Sequence, residues 1–338
     1  MKRPRCCTSV ASASKSALCS CLLPRIAPLA FAWLLLAALI PSLPAQPQKS
    51  EEKAPAGVLS VKGSDTMVIL GQRWAEGFMK THPQVKVQVM GGGSGTGLAA
   101  LINGSTDIAQ ASRSMKSQEK VDFIKKFKRP VREISVALDG IAIYVHGKNP
   151  IKSITMNQLK AVYRGEIKDW KDLGGEPGGI ILYGRENSSG TYAFFKEHVL
   201  ANMDFAPQTQ TLQGTAAVIN ALTQDPKGIG YGGIGYSTGV RVIPVAAEET
   251  ATPIPPSLEA VAKGEYPLSR HLFFYIDSGR YEGAVQSFIE YCLSDEGQKV
   301  VSQVGYYPLT KNPPAKQEEK SGNETAPPGG NAPEKKTP

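Results

Sequence analysis

Two short stretches carry the residue types from which an anion site can be built. Met90-Gly-Gly-Gly-Ser-Gly-Thr-Gly-Leu98 and Arg185-Glu-Asn-Ser-Ser-Gly-Thr191 both contain a Ser-Gly-Thr triplet. Each follows a strand-like run, Val85-Lys-Val-Gln-Val89 or Ile180-Ile-Leu-Tyr183, and each leads into a helix-like run, Leu98–Ile102 or Tyr192–Leu200. A strand, a tight turn and a helix start together aim backbone N–H groups and the positive end of a helix dipole at one point. A third turn, Gly63-Ser-Asp-Thr-Met67, follows the first strand and puts Ser64, Asp65 and Thr66 at helix-cap positions. Taken alone it needs nothing beyond ordinary capping. Three such turns on three strand–helix units point to one shared site, with Ser94, Gly95 and Thr96 in the second turn and Ser189, Gly190 and Thr191 in the third.

Three charged residues stand near these turns. Arg113 and Arg185 follow short apolar strands, and a guanidinium fork matches an oxyanion. Asp139 lies inside the apolar run Ile134–Val145, where an acid must be paired or face a site; pairing with Arg185 or Arg113 is expected. Catalytic patterns are weak. The glycine turn at 91–97 lacks the Gly-Lys-Ser/Thr ending of a Walker loop. Gly228-Ile-Gly-Tyr-Gly-Gly233 and its overlap at 230–235 match G-x-G-x-x-G, but no clear helix follows. The four histidines, His82, His146, His198 and His271, show no metal spacing. Without a general base, Ser-Gly-Thr turns bind rather than hydrolyse, so neither an enzyme nor a cofactor or metal is expected.

The elements that must position these residues alternate. Strands are expected at 58–61, 85–90, 107–111, 133–145, 180–183, 228–235, 240–245 and 271–276. Helices are expected at 66–80, from 97 to 103, and at 117–127, 156–163, 190–200, 215–222 and 283–304. Alternation of this kind implies parallel sheets covered by helices. Two long strands, near 133–145 and 268–276, would pass between two α/β lobes and leave a cleft, the default place for a ligand.

The chain has 338 residues, 41% hydrophobic and 20% charged, with a formal charge of +8. Lys2, Arg3, Arg5, Lys15 and Arg25 fall in the first 45 residues with no acid beside them, so the remainder is near +3 and gives no case for nucleic acid. The apolar run at 26–40 behind that basic segment, ending in Pro41-Ser-Leu-Pro-Ala45, reads as an export signal at 1–45 or an N-terminal anchor. It is shorter than the ~20 residues a membrane span needs. Cys6, Cys7, Cys19 and Cys21 belong to it, leaving Cys292 without a disulfide partner. Residues 46–57 read as a polar linker and 312–338 as a disordered tail.

Gly63-Ser-Asp-Thr-Met, Gly91-Gly-Gly-Ser-Gly-Thr-Gly, Asp107-Ile-Ala-Gln-Ala-Ser-Arg113, Asp139-Gly-Ile-Ala-Ile-Tyr-Val145, Tyr163-Arg-Gly-Glu-Ile-Lys-Asp-Trp170 and Arg185-Glu-Asn-Ser-Ser-Gly-Thr191 resemble, in this order, the substrate-binding proteins of phosphate ABC importers. The resemblance implies an α/β, two-lobed periplasmic-binding-protein fold of type II, with lobe 1 at 58–138 and 271–311 and lobe 2 at 139–270. It implies a monomer that closes on inorganic phosphate and delivers it to membrane permease subunits, in the periplasm or outside the cell. Carried over by position, Ser64, Asp65, Thr66, Ser94, Arg185, Ser189, Gly190 and Thr191 would hold the anion. One position departs: members with an aspartate after the Ala-Ser pair use it to accept the proton of hydrogen phosphate, and Arg113 has no lone pair to do so. Asp65, with Asp139 second, is the expected acceptor. The alternatives are another oxyanion (sulfate, molybdate or tungstate), a secreted phosphoryl-transfer enzyme, or a phosphate-sensing module.

Overall fold

The computed structural model describes residues 57–309. The expected export segment, nearly all of the linker and the tail lie outside them. The first part of the chain runs β1 (Gly57–Gly63), α1 (Val68–Thr81), β2 (Val85–Met90), α2 (Ser94–Asn103), β3 (Ile108–Ala111), α3 (Ser117–Phe127) and β4 (Val131–Val145). The second part contains β5 (Ile154–Thr155), α4 (Met156–Tyr163), β6 (Ile181–Arg185), α5 (Gly190–His198), β7 (Gln210–Leu212), α6 (Thr215–Gln224), β8 (Gly228–Gly233), β9 (Arg241–Ile243), β10 (Val245–Ala246) and α7 (Leu258–Ala262). The chain returns through β11 (Ser269–Asp277), α8 (Gly283–Leu293) and α9 (Asp295–Val304).

Nine strands form one continuous sheet, β2-β1-β3-β11-β4-β8-β6-β7 with β9 also on β4, and β5 pairs with β10 in a separate two-stranded sheet. Two lobes share it because β4 changes partners. Residues 131–140 pair antiparallel with β11, whereas Ile141–Val145 pair antiparallel with β8. A 15-residue strand at ~3.4 Å per residue reaches about 50 Å, enough to serve both sheets. β1 is parallel to β2 and β3, and β6 is parallel to β7 and β8, as crossover helices demand.

Each lobe has its own core. In the first, α1 buries Leu70, Trp74 and Phe78, spaced to share one helix face. Trp74 meets Phe274 edge-to-face at 5.6 Å and donates its indole N–H to Gly297 O at 2.8 Å. In the second, Tyr163, Phe195 and Tyr231 are fully buried, with Phe195 stacked on Tyr231 at 3.9 Å. Cys292 is buried and apolar in setting, as expected of a lone thiol.

Several element bounds differ from those expected. α2 starts at Ser94, not near Gly97: Gly93, with φ 92°, makes the turn, and the glycines after it are helical. The closing helix is two helices, because Ser294 turns extended and its Oγ caps α9 through Gly297 N–H at 3.2 Å. Pro244, which has no N–H for a ladder, separates β9 from β10. β7 and α7 were not foreseen.

Candidate functional site

All three turns expected to bind end at the same place. Ser64 Oγ donates to Ser112 Oγ at 2.9 Å, and Ser112 N–H donates to Ser94 Oγ at 3.0 Å. From the other lobe, Thr191 Oγ1 lies 2.9 Å from Thr66 Oγ1. Ser64, Thr66, Ser94, Ser112, Ser189 and Thr191 are all buried. Each turn also brings backbone donors. Ser189 Oγ caps α5 by accepting Tyr192 N–H at 3.3 Å, which leaves the N–H groups of Gly190 and Thr191 without partners inside the helix. The lobes touch here by backbone as well: Gly95 N–H donates to Ser188 O at 2.9 Å.

This approach explains two of the glycines. A Cβ on Gly93 would sit 2.5 Å from Ser188 O, and one on Gly190 would overlap Ser94 Oγ and lie 2.7 Å from Ser112 Oγ. Thr96 stands beside them in the first turn of α2, with no hydrogen bond tying it to the hydroxyl cluster.

The charges form two buried knots. In one, Arg185 is 1% exposed; its Nη2 meets Asp65 Oδ2 at 3.2 Å and Glu186 Oε1 at 3.1 Å, and its Nη1 donates to Thr215 Oγ1 at 2.7 Å. Asp65 Oδ1 accepts Gly92 N–H at 2.8 Å. Burial raises the Asp65 carboxyl above its ordinary range, against the Gly92 N–H and Arg185. Burial also pushes the Tyr236 phenol up to about 12, so it stays protonated and donates to Asp65 O at 2.8 Å.

The other knot corrects an expectation. Asp139 pairs with neither Arg185 nor Arg113 but with Arg270, whose Nε and Nη2 reach Asp139 Oδ2 at 2.9 and 2.7 Å. The two face each other across the β4–β11 ladder. Asp139 Oδ1 accepts Ile234 N–H at 3.0 Å. Burial raises the Asp139 carboxyl, against Arg270 and the Ile234 and Gly140 N–H groups. Arg270 also donates from Nη1 to Ser112 O at 2.9 Å and from Nη2 to Thr191 Oγ1 at 3.0 Å.

Arg113 does not join the cluster. Glu119 takes its fork with both oxygens, at 2.8 and 2.7 Å. Burial works to raise Glu119, but Arg113 and the Lys116 N–H hold it below the usual carboxylate range. Ser112 and Arg270 were missed as site residues. Ser112 stood beside Arg113 in a quoted motif, whereas nothing local to Arg270 marks it. Among these groups two guanidiniums face Asp65, Asp139 and Glu186, so no net cation remains. Attraction for an anion must come from oriented N–H and O–H donors in a water-poor site.

Comparison with known proteins agrees with this geometry. The PBP superfamily domain matches residues 48–296. The phosphate-binding protein PstS of Pseudomonas aeruginosa is 36% identical over 296 residues, covering 82% of this chain and 90% of the relative. PstS of Bacillus subtilis is 33% identical, covering 78% and 84%. A Clostridium perfringens protein described as a phosphate ABC transporter substrate-binding protein, solved with bound phosphate, superposes with a TM-score of 0.69 at 28% identity, over 75% of this chain and 100% of that one. A phosphate transport receptor from Vibrio cholerae gives 0.61 at 27% identity, over 74% and 100%. With its two lobes, shared strands and turns meeting between them, the chain belongs to the PBP superfamily and, within it, to the PstS family of phosphate-binding proteins.

Proposed function

We propose that this protein captures inorganic phosphate between its lobes and hands it to the membrane permease of an ABC importer, acting as a monomer outside the cytoplasmic membrane after export by residues 1–45. The observation that carries the reading is the meeting of hydroxyls and helix starts from both lobes at one buried point. The lobes divide at the hinge strands, with 58–138 and 271–311 on one side and 139–270 on the other. Ser64, Thr66, Ser94, Ser189, Gly190 and Thr191 hold the anion, Asp65 and Arg185 complete one wall, and no bond of the ligand is broken. No helix among the described residues is long and apolar enough to cross a membrane.

Lone-pair counting selects the acceptor for the phosphate proton. A carboxylate has about four acceptor positions. Asp139 spends two on Arg270 and one on Ile234 N–H, with Gly140 N–H also acting on it. Asp65 spends one oxygen site on Gly92 and one on Arg185, so it keeps capacity. Sulfate carries no proton at neutral pH and would turn its negative oxygens toward the remaining lone pairs of the Asp65 carboxylate. Calorimetric titration of the chain with phosphate, sulfate and molybdate tests the reading. One-to-one phosphate binding with sulfate silent is expected; preference for a fully ionised oxyanion, or no binding, refutes it.

A further inference from the structure

We propose that Arg270 is a positioning residue of this site: its guanidinium points the Thr191 hydroxyl at the bound anion and latches the closed lobes. The inference rests on the phosphate-capture reading and deepens it.

Arg270 touches three parts of the molecule at once. It reaches Asp139 on the other hinge strand, Ser112 O at the end of β3, and Thr191 Oγ1 on α5 of the opposite lobe. Its side chain is 2% exposed, and the Phe194 ring covers it with the guanidinium carbon 5.6 Å from the ring centre. Four of its five N–H groups are thus spent on the hinge and the site.

The chemistry of the donors decides what this does. An arginine donates and never accepts, so the lone pair that Thr191 turns toward Nη2 is used up. Thr191 and Thr66 share one hydrogen bond and own two protons. One proton lies between them, and the other is left to point elsewhere. With Thr66 as the donor, Thr66 and Arg270 fill both lone pairs of Thr191, and the Thr191 proton is the one left for the anion. Without Arg270, the Thr191 hydroxyl is free to rotate and present a lone pair to a negative charge. The same fork ties Ser112 O, whose residue feeds its N–H to Ser94, so one group orders hydroxyls from both lobes. The Thr191 bond exists only when the lobes meet, so its loss acts on release rather than capture.

Lysine tests the fork. It keeps the charge beside Asp139 but has a single nitrogen and cannot reach three acceptors in this geometry. Replacing the pair together, Arg270→Met with Asp139→Leu, removes the donor without burying a lone charge. Stopped-flow measurement of orthophosphate association and dissociation on the full chain is the assay, with melting temperature as the folding control. Dissociation is expected to quicken about 10- to 100-fold in both variants, the range for losing a charge-assisted hydrogen bond, with association within about threefold. Thr191→Val added to either variant is expected to change dissociation far less than it does alone, since both act through one bond. Wild-type dissociation in folded variants, or effects of Arg270→Lys and Thr191→Val that multiply in full, would overturn the inference. Failure of the unsubstituted chain to bind orthophosphate would remove the functional reading and this inference with it.

Discussion

Gly190→Ala offers a direct test of how the lobes meet. Gly190 opens α5 in one lobe, and Ser94 and Ser112 belong to the other. An added Cβ overlaps Ser94 Oγ and falls 2.7 Å from Ser112 Oγ and 2.9 Å from Ser94 Cβ. The serine oxygens cannot simply rotate away, because Ser94 Oγ accepts Ser112 N–H and Ser112 Oγ accepts from Ser64. The overlap exists only in the closed form. Overpacking a tight interior costs about 1–3 kcal/mol. Placed wholly on the closed, phosphate-bound state, that weakens apparent affinity about 5- to 150-fold. The stability of the ligand-free fold should hold or rise slightly, since alanine reduces the freedom of the unfolded chain at a helical position. Calorimetric titration with phosphate, beside a thermal melt without it, separates the two effects. An unchanged dissociation constant would refute the claim that Gly190 packs against these serines when phosphate is bound.

Three further outcomes follow from the same structure. Asp65→Asn is expected to weaken phosphate binding and narrow its advantage over sulfate, because one acceptor oxygen becomes an NH2 donor and the negative charge is lost; unchanged discrimination in a competition titration would count against Asp65 as the acceptor. Asp277 is held below the usual carboxylate range by its hydrogen bonds with Arg129, against some burial. A depressed acid contributes stability above its unfolded pKa of about 3.9 and loses it as pH falls toward the folded value, so the melting-temperature gap between wild type and Asp277→Asn should be widest near neutral pH and shrink below about pH 4; a gap that stays constant across that range would refute this. Trp74→Ala removes a fully buried ring and an indole hydrogen bond and should cost about 3–5 kcal/mol in denaturant unfolding, while phosphate affinity at temperatures where the chain is folded stays near wild type.

Much of the site could be read from the chain because its signals are local. Ser64, Ser94 and Ser189 sit at strand–turn–helix junctions, where residue type and position mark the turn; of the three only Ser189 caps its helix by side chain, since Ser64 and Ser94 turn their hydroxyls to Ser112 instead of a helix N–H. The split at Ser294 had a local signal too, a serine before Asp295 and Glu296, with helix-forming segments on both sides of it. The start of α2 was hidden because a glycine-rich stretch suits both a turn and a helix, and packing against Ser188 decides where one ends.

By itself the sequence determined the alternation of strands and helices, the three turns with their hydroxyls, and the need for Asp139 to find a cation. Only the tertiary structure decided which cation. Asp139 and Arg270 are 131 positions apart, and Arg113, Arg185 and Arg270 are chemically equivalent until the ladder register sets β11 against β4 and Glu119 claims Arg113. Short-range geometry is written in neighbouring residues, whereas the partner of a buried charge is chosen by strands that meet only when both lobes have folded.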